Sequence, residues 1–417
     1  MKEILCEIIT IGDEILYGQI TDTNSQWMSA ELDKHGIKTI RKTSIGDNEL
    51  HIIQAIKEAE SRADIILITG GLGPTNDDVT KKTIAEYYGV PLVLNQEALQ
   101  DVTVFFAMRG KELTEINRQQ AYLPANAVFL SNKNGTAPGM WIENERCILV
   151  SMPGVPHEMK GLMEEEVIPR LKKKFTLPVI YHKFIKTIGI GESYLAEKIA
   201  DWENQLPSNT KLAYLPSFGE VTLRLSTFGQ DLNTLKESTQ KEIEKIQAII
   251  PEHIYGYDDD TIEQVIAQLL TERKLTIATA ESCTGGFVAH RLTSVAGSSC
   301  YFWGSVIAYH NSIKMNILGV QEETLRTCGA VSEETVKEMA EGVRKLYKTD
   351  IGISTSGIAG PGGGTTEKPV GTIWIAYSDK EKTVTRKLSL GNVRDYNIRY
   401  TGYALLNLLR QTLTKNS

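Results

Sequence analysis

The chain has 417 residues, of which 41% are hydrophobic and 23% are charged, and its formal net charge is −7. This length is too great for one hydrophobic core and predicts two or three domains of about 100 to 200 residues each. The composition is typical of globular proteins and excludes a large disordered tract. The negative charge, without a sizeable Lys/Arg cluster, argues against nucleic acid as a partner.

The N-terminal segment and the cysteines predict the compartment. The start, MKEILCEIITIGDEIL, runs straight from apolar into acidic residues, which is not the pattern of a signal peptide. No apolar segment approaches the roughly 20 residues needed to cross a bilayer, so we expect no membrane-spanning role. The five cysteines are widely spaced and form no C-x-x-C pair, which favours reduced thiols. We therefore expect a soluble cytoplasmic protein.

The first part of the chain, residues 1–172, alternates between strand-like and helix-like patterns. The strand-like runs are ILCEIITIG and DIILITG, and the amphipathic runs are NSQWMSAELDKHG and DDVTKKTIAEYYG. Strands separated by amphipathic helices predict a parallel sheet covered by helices. We therefore expect an α/β domain here.

Two further parts follow. The first pattern breaks at Pro169, a KKK run and Pro178, and residues 173–255 then predict a small α+β module with strands such as KFIKTIG and EVTLRLSTFG. After the turn-rich stretch GYDDD, a second α/β rhythm occupies residues 256–417, with strand-like runs TIATA, GSVIAYH, DIGISTSGIAG and VGTIWIAY. The sequence thus predicts three domains.

A first glycine-rich loop, TGGLGPTNDD at residues 69–78, lies between a buried strand and a helix. Backbone amides at a helix N-terminus bind anions, which predicts a phosphate site. The loop is neither a Walker A motif nor a dinucleotide fingerprint, because no Gly-Lys-Ser/Thr follows and Asn76 replaces the third glycine. Asp77 and Asp78 indicate a divalent cation between carboxylates and phosphate, although helix capping by one of them explains them equally well.

A second strand-turn-helix motif, ATAESCTGG at residues 278–286, places Ser282 at a predicted helix start. A hydroxyl there could act as a nucleophile, with unpaired amides near Gly285 and Gly286 stabilising the oxyanion. Serine at this position is more often a helix cap. The neighbouring Cys283 is a competing nucleophile, although a lone thiol beside glycines is usually buried packing.

A base for Ser282 is offered by the segment GSVIAYHNSIK. Tyr309 lies at a strand end and Lys314 just inside the next helix. A buried lysine with a lowered pKa, assisted by a phenol, can accept a hydroxyl proton. The later loop STSGIAGPGGG, residues 354–364, could cradle a nucleotide phosphate or could be a surface turn.

The motifs of the first domain resemble the competence/damage-inducible CinA family, whose first domain is itself similar to the molybdopterin-binding MoaB and MogA proteins. They are GDEILYGQITDTNS, SIGDN, TGGLGPTNDDVT, NGTAPG and SMPGVPHEM, within residues 5–172. The resemblance implies metal-dependent cleavage of ADP-ribose to AMP and ribose 5-phosphate with Mg, Mn or Co. It also implies the acidic residues Asp13, Asp47 and Asp78 as metal ligands, and phosphate contacts from Gly70, Gly71, Gly73 and Thr75.

The third domain resembles the PncC-type nicotinamide mononucleotide deamidase domain of the same family. AESCTGG, AYHNSIK, GAVSEETV, SGIAGPGGG and KPVGTIW follow in the expected order over residues 262–377. The resemblance implies Ser282 as nucleophile with Tyr309 and Lys314 as proton carriers, and no cofactor in this domain. Substrate contacts are expected from Thr284, Gly285, Gly286, Ser356, Gly357 and Arg394. The family's Gly-Asp-Arg motif reads GNVRD here. We therefore assign the motif's arginine to Arg394, with Arg399 as the alternative.

The middle module resembles the family's KH-type segment. A nucleic-acid-binding KH loop is Gly-x-x-Gly, whereas this chain has GIGE, which favours a spacer or dimerisation role. The predicted fold class is therefore α/β, with a MoaB/MogA-like domain, a KH-like α+β module and an α/β deamidase domain. The predicted function is a bifunctional hydrolase of nicotinamide mononucleotide and ADP-ribose, acting as a homodimer. The alternative is a nucleotide- or molybdopterin-binding regulatory protein.

Overall fold

A computed structural model describes residues 3–75 and 78–415 of the chain. The chain divides into two compact units: the first extends to Tyr181 and includes Thr227–Lys236, and the second comprises His182–Ser226 and the residues from Glu237 onward. Each unit combines helices with a sheet that contains parallel strands, so the predicted α/β class is confirmed. In the described ranges, no helix is long and apolar enough to cross a membrane.

The first unit is built on a six-stranded mixed sheet. Its strands are β1 (Ile4–Ile11), β2 (Ile37–Ile45), β3 (Ile65–Thr69), β6 (Val128–Leu130), β7 (Gly139–Glu143) and β8 (Ile148–Met152), in the order β2-β1-β3-β8-β7-β6. Strands β2, β1, β3 and β8 are parallel, and β7 and β6 continue the sheet antiparallel. Strands β4 (Leu92–Leu94) and β5 (Tyr122–Pro124) form a separate antiparallel pair.

Helices cover both faces of this sheet. They are α1 (Asp13–Leu16), α2 (Thr23–Lys34), α3 (Glu49–Glu60), α4 (Thr80–Tyr87), α5 (Gln96–Ala107), α6 (Glu115–Arg118), α7 (Pro156–Leu162) and α8 (Ile168–Lys174), with a π-helical turn at Met163–Val167. All five residues of β3 are buried, because successive side chains enter opposite layers. Ile65 and Leu67 join one core cluster, and Ile66 and Ile68 join the other.

The middle part of the chain forms a four-stranded sheet with two helices. Its elements are β9 (Val179–Ile188), α9 (Glu192–Asn204), β10 (Thr210–Ser217), β11 (Glu220–Gly229), α10 (Leu232–Ile249) and β12 (Ile254–Tyr257), with sheet order β10-β11-β9-β12. Leu195, Ile199 and Trp202 of α9 pack with Leu223 and Leu225 of β11. This α+β arrangement agrees with the strand and helix patterns of the sequence.

The C-terminal part contains a five-stranded sheet in the order β14-β13-β15-β16-β17. Strands β13 (Ile277–Glu281), β14 (Phe302–Ile307) and β15 (Ile351–Gly357) are parallel, whereas β16 (Thr372–Ser378) and β17 (Thr383–Ser389) are antiparallel additions. The helices are α11 (Ile262–Glu272), α12 (Phe287–Thr293), α13 (Asn311–Asn316), α14 (Glu322–Thr327), α15 (Glu333–Tyr347) and α16 (Arg394–Lys415).

The parallel strands place the predicted site residues at one edge of this sheet. Ser282 follows β13, Tyr309 lies just after β14, and Ser356 and Gly357 end β15. Because the carboxyl ends of parallel neighbours meet at the same edge, these residues come together although they are far apart in sequence. On one face of the sheet, a core cluster includes residues of α11, α12 and α16; on the other, α15 packs against Ala278 and Ala280.

Candidate active sites

The turn that follows β13 is built around the buried carboxylate of Glu281. Its Oε2 atom accepts hydrogen bonds from the Thr284 hydroxyl at 2.7 Å and from the backbone N–H groups of Gly286 and Val288 at 3.0 and 3.1 Å. Its Oε1 atom accepts the N–H of Ala289 at 2.8 Å. A carboxylate at a helix N-terminus satisfies amides that have no partner within the helix. Glu281 therefore fixes the backbone that carries Ser282.

Three residues of this turn that the sequence proposed as substrate contacts form hydrogen bonds within the protein. The amide of Gly285 donates to the Ser282 carbonyl at 3.2 Å, and the amide of Gly286 donates to Glu281. Thr284 is buried, and its hydroxyl contacts Glu281 and Thr355, each at 2.7 Å. Both glycines have a positive φ, which a side chain would strain. Thr284, Gly285 and Gly286 therefore shape the turn that carries Ser282.

Ser282 and Lys314 meet at the base of a cavity. The Lys314 Nζ atom lies 3.2 Å from the Ser282 Oγ atom and donates to the Ala308 carbonyl at 2.6 Å. The lysine side chain is buried, with a relative exposure of 1%, and this burial lowers the pKa of the Lys314 amine below its usual value. A lysine with a lowered pKa can be neutral at moderate pH and accept a proton from the hydroxyl.

Tyr309 lies at the mouth of the same cavity and is mostly exposed. Its hydroxyl accepts a hydrogen bond from the Arg394 Nη2 atom at 3.0 Å, and Arg394 Nη1 donates to the Gly360 carbonyl at 2.8 Å. Arg394 thereby links the loop after β14 to the glycine-rich loop after β15. Of the two residues expected to carry the proton, Lys314 therefore contacts Ser282, whereas Tyr309 contacts Arg394.

The cavity has a volume of about 300 Å³ and is lined by both loops. Ser356 and Gly357 contribute to its wall, and the Ser356 hydroxyl donates to the Ala330 carbonyl at 2.6 Å. Arg394 lines the cavity, whereas Arg399 does not. Arg399 lies 3.7 Å from the Asp395 carboxylate, and its guanidinium stacks over the Phe218 ring at 4.3 Å. The structure therefore distinguishes between the two arginines that the sequence offered.

Cys283 borders this cavity but has the wrong protonation state for a nucleophile. Its side chain is buried, and that burial raises the pKa of the Cys283 thiol to about 12. Only the thiolate is strongly nucleophilic. At neutral pH the competing candidate is therefore a protonated, packed side chain.

In the first unit, the glycine-rich loop lines a cavity of about 520 Å³. Gly70, Gly71 and Gly73 are part of its wall, together with Asp47 and Asp78. Gly70 has φ +113°, and a Cβ atom added there would lie 2.0 Å from the Ile11 carbonyl oxygen. The close approach of the loop to β1 thus requires glycine.

The three expected metal ligands are not arranged as a ready-made ligand set. Asp47 and Asp78 line the cavity, whereas Asp13 begins α1 and donates its backbone N–H to Asp47 at 3.1 Å. Asp78 accepts hydrogen bonds from the Thr75 amide at 2.9 Å and hydroxyl at 2.5 Å. Asp77 lies outside the described residues. Residues 3–75 and 78–415 contain no cluster of three or more His, Cys, Asp or Glu side chains placed to hold a metal.

A second compartment of about 420 Å³ adjoins this cavity and shares Gly73, Asp78 and Gln120 with it. It contains Lys81, which donates to the Gln119 carbonyl at 3.0 Å and whose pKa is lowered to about 8 by burial. Gln120 is buried, and its Oε1 atom has no hydrogen-bond partner among the described residues. The sequence motifs drew attention to neither residue.

Comparison with known proteins decides the family. The family described as "CinA C-terminal domain" matches residues 259–413, "Damage-inducible protein CinA KH domain" matches residues 182–256, and "Probable molybdopterin binding domain" matches residues 7–173. A CinA-like protein of Cytophaga hutchinsonii is 54% identical over 410 residues, 98% of each chain. The chain belongs to the CinA family.

Other CinA proteins extend this comparison. A CinA-like protein of Flavobacterium psychrophilum is 45% identical over 411 residues, again 98% of each chain. The solved structure of competence/damage inducible protein CihA from Agrobacterium tumefaciens is 36% identical and covers 37% of this chain and 93% of its own, with a TM-score of 0.36. The expected MoaB-like first domain, KH-like middle and CinA C-terminal domain are thus confirmed at the level of the family.

Several residues of this CinA chain gained a role only from the structure. Glu281 precedes Ser282 in the motif, so its position next to the candidate nucleophile was visible in the sequence, but its hydrogen bonds to the start of α12 were not. Lys81 is one of two adjacent lysines, and Gln120 one of two adjacent glutamines, with no sequence signal to separate them from solvent-exposed neighbours. Their burial depends on contacts between α4 and the segment before β5, which are distant in sequence.

Proposed function

We propose that the C-terminal domain hydrolyses the carboxamide of nicotinamide mononucleotide to nicotinate mononucleotide and ammonia. The observation that carries the proposal is the contact of 3.2 Å between the buried Lys314 amine and the Ser282 hydroxyl at the base of a cavity. A serine activated by a buried lysine is a nucleophile for acyl transfer. Arg394 and the glycine-rich loop give the same cavity groups that suit a phosphate.

The proposed reaction has two steps. Ser282 Oγ bonds to the carboxamide carbon while neutral Lys314 takes the hydroxyl proton; the C–N bond then breaks, and Lys314 returns that proton to the leaving ammonia. Water next attacks the acyl-serine ester, again with Lys314 as base, and releases nicotinate mononucleotide and the free serine. Tyr309 and Arg394, bonded to each other at the mouth, orient the substrate. The residues used in this scheme require no metal.

The first test replaces the nucleophile. We expect Ser282→Ala to reduce ammonia release by at least a thousandfold, because the covalent route then has no nucleophile. Ser294→Ala is the matched control, since Ser294 is an exposed helix-end serine whose hydroxyl donates to the Arg291 carbonyl. Ammonia release at the wild-type rate from Ser282→Ala would remove Ser282 from the mechanism.

For the first domain, we propose metal-dependent hydrolysis of ADP-ribose to AMP and ribose 5-phosphate. The supporting observation is the cavity that combines the loop Gly70–Gly73 with the carboxylates of Asp47 and Asp78. Magnesium is often held by one or two carboxylates plus substrate phosphates, so a closed protein cage is not needed. A bound Mg, Mn or Co ion would neutralise phosphate charge and lower the pKa of an attacking water.

The test of this second activity uses AMP formation. We expect AMP from ADP-ribose when a divalent metal is present, its loss on chelation, and a reduction of about a hundredfold in Asp78→Asn. Glu112→Gln is the control, because it removes an exposed carboxylate that lines neither cavity. An ammonia assay on the same variants should show no change, since the two sites use different residues.

The alternative function is a nucleotide- or molybdopterin-binding regulatory protein with one or both sites inactive. It is favoured by the description of the family that matches residues 7–173, which names molybdopterin binding. Isothermal titration calorimetry with nicotinamide mononucleotide and with ADP-ribose, run beside the product assays, distinguishes the hydrolase from the regulatory protein. Tight binding of a nucleotide without product formation supports the regulatory protein. We also propose that the chain forms a homodimer, which light scattering of the purified protein tests.

A further inference from the structure

The hairpin between β10 and β11, in the middle part of the chain, carries an aromatic residue at its tip. The Phe218 ring lies edge-on to Tyr396, with ring centroids 5.0 Å apart, and 6.0 Å from the Tyr403 ring. The Arg399 guanidinium stacks over Phe218 at 4.3 Å. Offset aromatic pairs and cation–π contacts are attractive at these separations. Phe218 thus contacts three side chains of one helix.

All three partners belong to the first turns of α16. Tyr396, Arg399 and Tyr403 recur at helical spacing and therefore share one face, and Tyr396 also stacks on Tyr400 at 5.8 Å. The same helix begins at Arg394, whose guanidinium lines the cavity and bonds to Tyr309 and to the Gly360 carbonyl. The contact surface of Phe218 therefore lies only two residues from the cavity arginine.

Tyr403 extends the contact to the helix that follows the nucleophile. The Arg291 Nη2 atom donates to the Tyr403 hydroxyl at 3.0 Å, and its guanidinium lies 5.0 Å from the Tyr403 ring centroid. Arg291 Nε also donates to the buried Glu263 carboxylate at 2.6 Å. Arg291 belongs to α12, which starts directly after the Ser282 turn. Phe218 at the hairpin tip therefore contacts α16, and α16 is in turn hydrogen-bonded through Tyr403 to Arg291 of α12.

We propose that Phe218 is a positioning residue for the deamidase site: it holds the first turns of α16 so that Arg394 keeps its place in the cavity. This inference rests on the proposed function. Without the ring, Tyr396 and Arg399 lose the surface they pack on, and the first turn of α16 gains freedom. Arg394 then spends less time bonded to Tyr309 and Gly360, and substrate meets a less ordered cavity mouth.

The test is a double-mutant cycle in the full chain. We expect Phe218→Ala to lower kcat/KM for ammonia release from nicotinamide mononucleotide by about tenfold, mainly through a higher KM, because Arg394 orients the substrate. Phe218→Tyr keeps the ring and should restore most of the activity. In an Arg394→Ala background, Phe218→Ala should have little further effect. Tyr194→Ala removes an exposed aromatic side chain of the same module and serves as the control.

Hydrogen exchange supplies a readout that does not depend on the reaction. Phe218→Ala should speed the exchange of amides in the first two turns of α16 and leave those of β15 unchanged. If the wild-type protein releases no ammonia, the proposed function fails, and the exchange result alone decides the positioning role. Unchanged exchange in α16 overturns it, as does a Phe218→Ala effect that is equally large with and without Arg394, because the ring would then act only on general stability.

Discussion

Among single residues, Lys314 links the structure to a testable pH dependence. Its amine is buried beside the Ser282 hydroxyl, and this burial lowers the pKa of the amine from the usual 10.5. Neutral amine increases as pH rises through the pKa. We therefore expect kcat/KM for ammonia release to increase with pH along a limb whose midpoint lies below 10.5, measured with the wild-type enzyme over pH 5 to 10.

Replacement of Lys314 tests the same assignment. Lys314→Met should reduce ammonia release by about 10²- to 10⁴-fold, the usual contribution of a general base, and should remove the rising limb of the pH profile. Lys337→Met, at an exposed position on α15, is the matched control. A Lys314→Met enzyme with the wild-type pH profile would show that another group accepts the serine proton.

Cys283 gives a prediction of the opposite kind. Because burial raises the pKa of its thiol to about 12, the thiolate is scarce at neutral pH. We expect Cys283→Ala to release ammonia within about threefold of the wild-type rate and to lose about 1 kcal/mol of stability from the small cavity left behind. Loss of ammonia release comparable to that of Ser282→Ala would instead identify the thiol as the nucleophile.

At the scale of elements, the turn between β13 and α12 depends on one carboxylate that accepts four hydrogen bonds. Glu281→Gln replaces one acceptor oxygen with an NH₂ group, which leaves N–H donors at the start of α12 facing another donor. An unsatisfied buried donor costs about 1–3 kcal/mol, so we expect a loss of about 2–4 kcal/mol in the free energy of unfolding. Chemical denaturation followed by circular dichroism measures it, with the exposed Glu381→Gln as control.

Strand β3 and the turn after β13 together show what sequence can and cannot predict. The run DIILI predicted a buried strand because continuous apolar residues between turn signals are typical of parallel sheets, and all five residues of β3 are buried. The sequence also placed Ser282 between a strand and a helix, but at the helix start; in the structure Ser282 follows β13 directly, and α12 begins only at Phe287. The role of Glu281 could not be predicted, because it depends on amides up to eight residues ahead folding back onto its side chain. Strand β17, in which every residue is half-buried or exposed, gave too weak a hydrophobic pattern to be found.

The sequence favoured Arg394 and kept Arg399 as a substitute, because it could not show which of the two lines the cavity. Both follow GNV within six residues, so composition treats them alike. Helix α16 begins at Arg394, and its first residue therefore faces the loops, whereas Arg399, more than one turn later, lies beside Asp395 and Phe218. A hydrophobic pattern predicts the exact first residue of a helix least well. In this chain the start of α16 decides that Arg394, and not Arg399, lines the cavity.

At the scale of the whole molecule, the C-terminal sheet does not provide all of the contacts that its last helix needs. Arg410 of α16 is buried, and burial lowers the pKa of its guanidinium. Its Nη1 and Nη2 atoms donate to the backbone carbonyls of Ile254 and Glu252 at 3.1 and 2.6 Å. Tyr255 packs in the same core cluster as α11 and α16. The segment around β12 therefore contributes to the stability of the CinA C-terminal domain.

Two fragments test this dependence. A fragment of residues 250–417 keeps the carbonyls to which Arg410 donates. A fragment of residues 259–417 lacks them and leaves the Arg410 guanidinium with only its hydrogen bonds to Asn407. We expect the shorter fragment to be less stable by at least about 2 kcal/mol, which corresponds to a Tm lower by roughly 4–8 °C for a chain of this size. Arg410→Met should narrow the difference in stability between the two fragments, since it removes the cation whose carbonyl partners the shorter fragment lacks. Equal Tm values for both fragments would mean that water replaces the lost carbonyls at no cost.

Ammonia release by the longer fragment separates stability from positioning. This fragment retains Ser282, Lys314 and Arg394, and it retains the backbone carbonyls to which Arg410 donates, but it lacks Phe218. We expect it to fold and to deamidate nicotinamide mononucleotide with kcat/KM about tenfold below that of the full chain, matching Phe218→Ala in the intact protein. If the fragment equals the full chain in kcat/KM, the C-terminal region orders its own cavity, and the middle module contributes nothing to the chemistry.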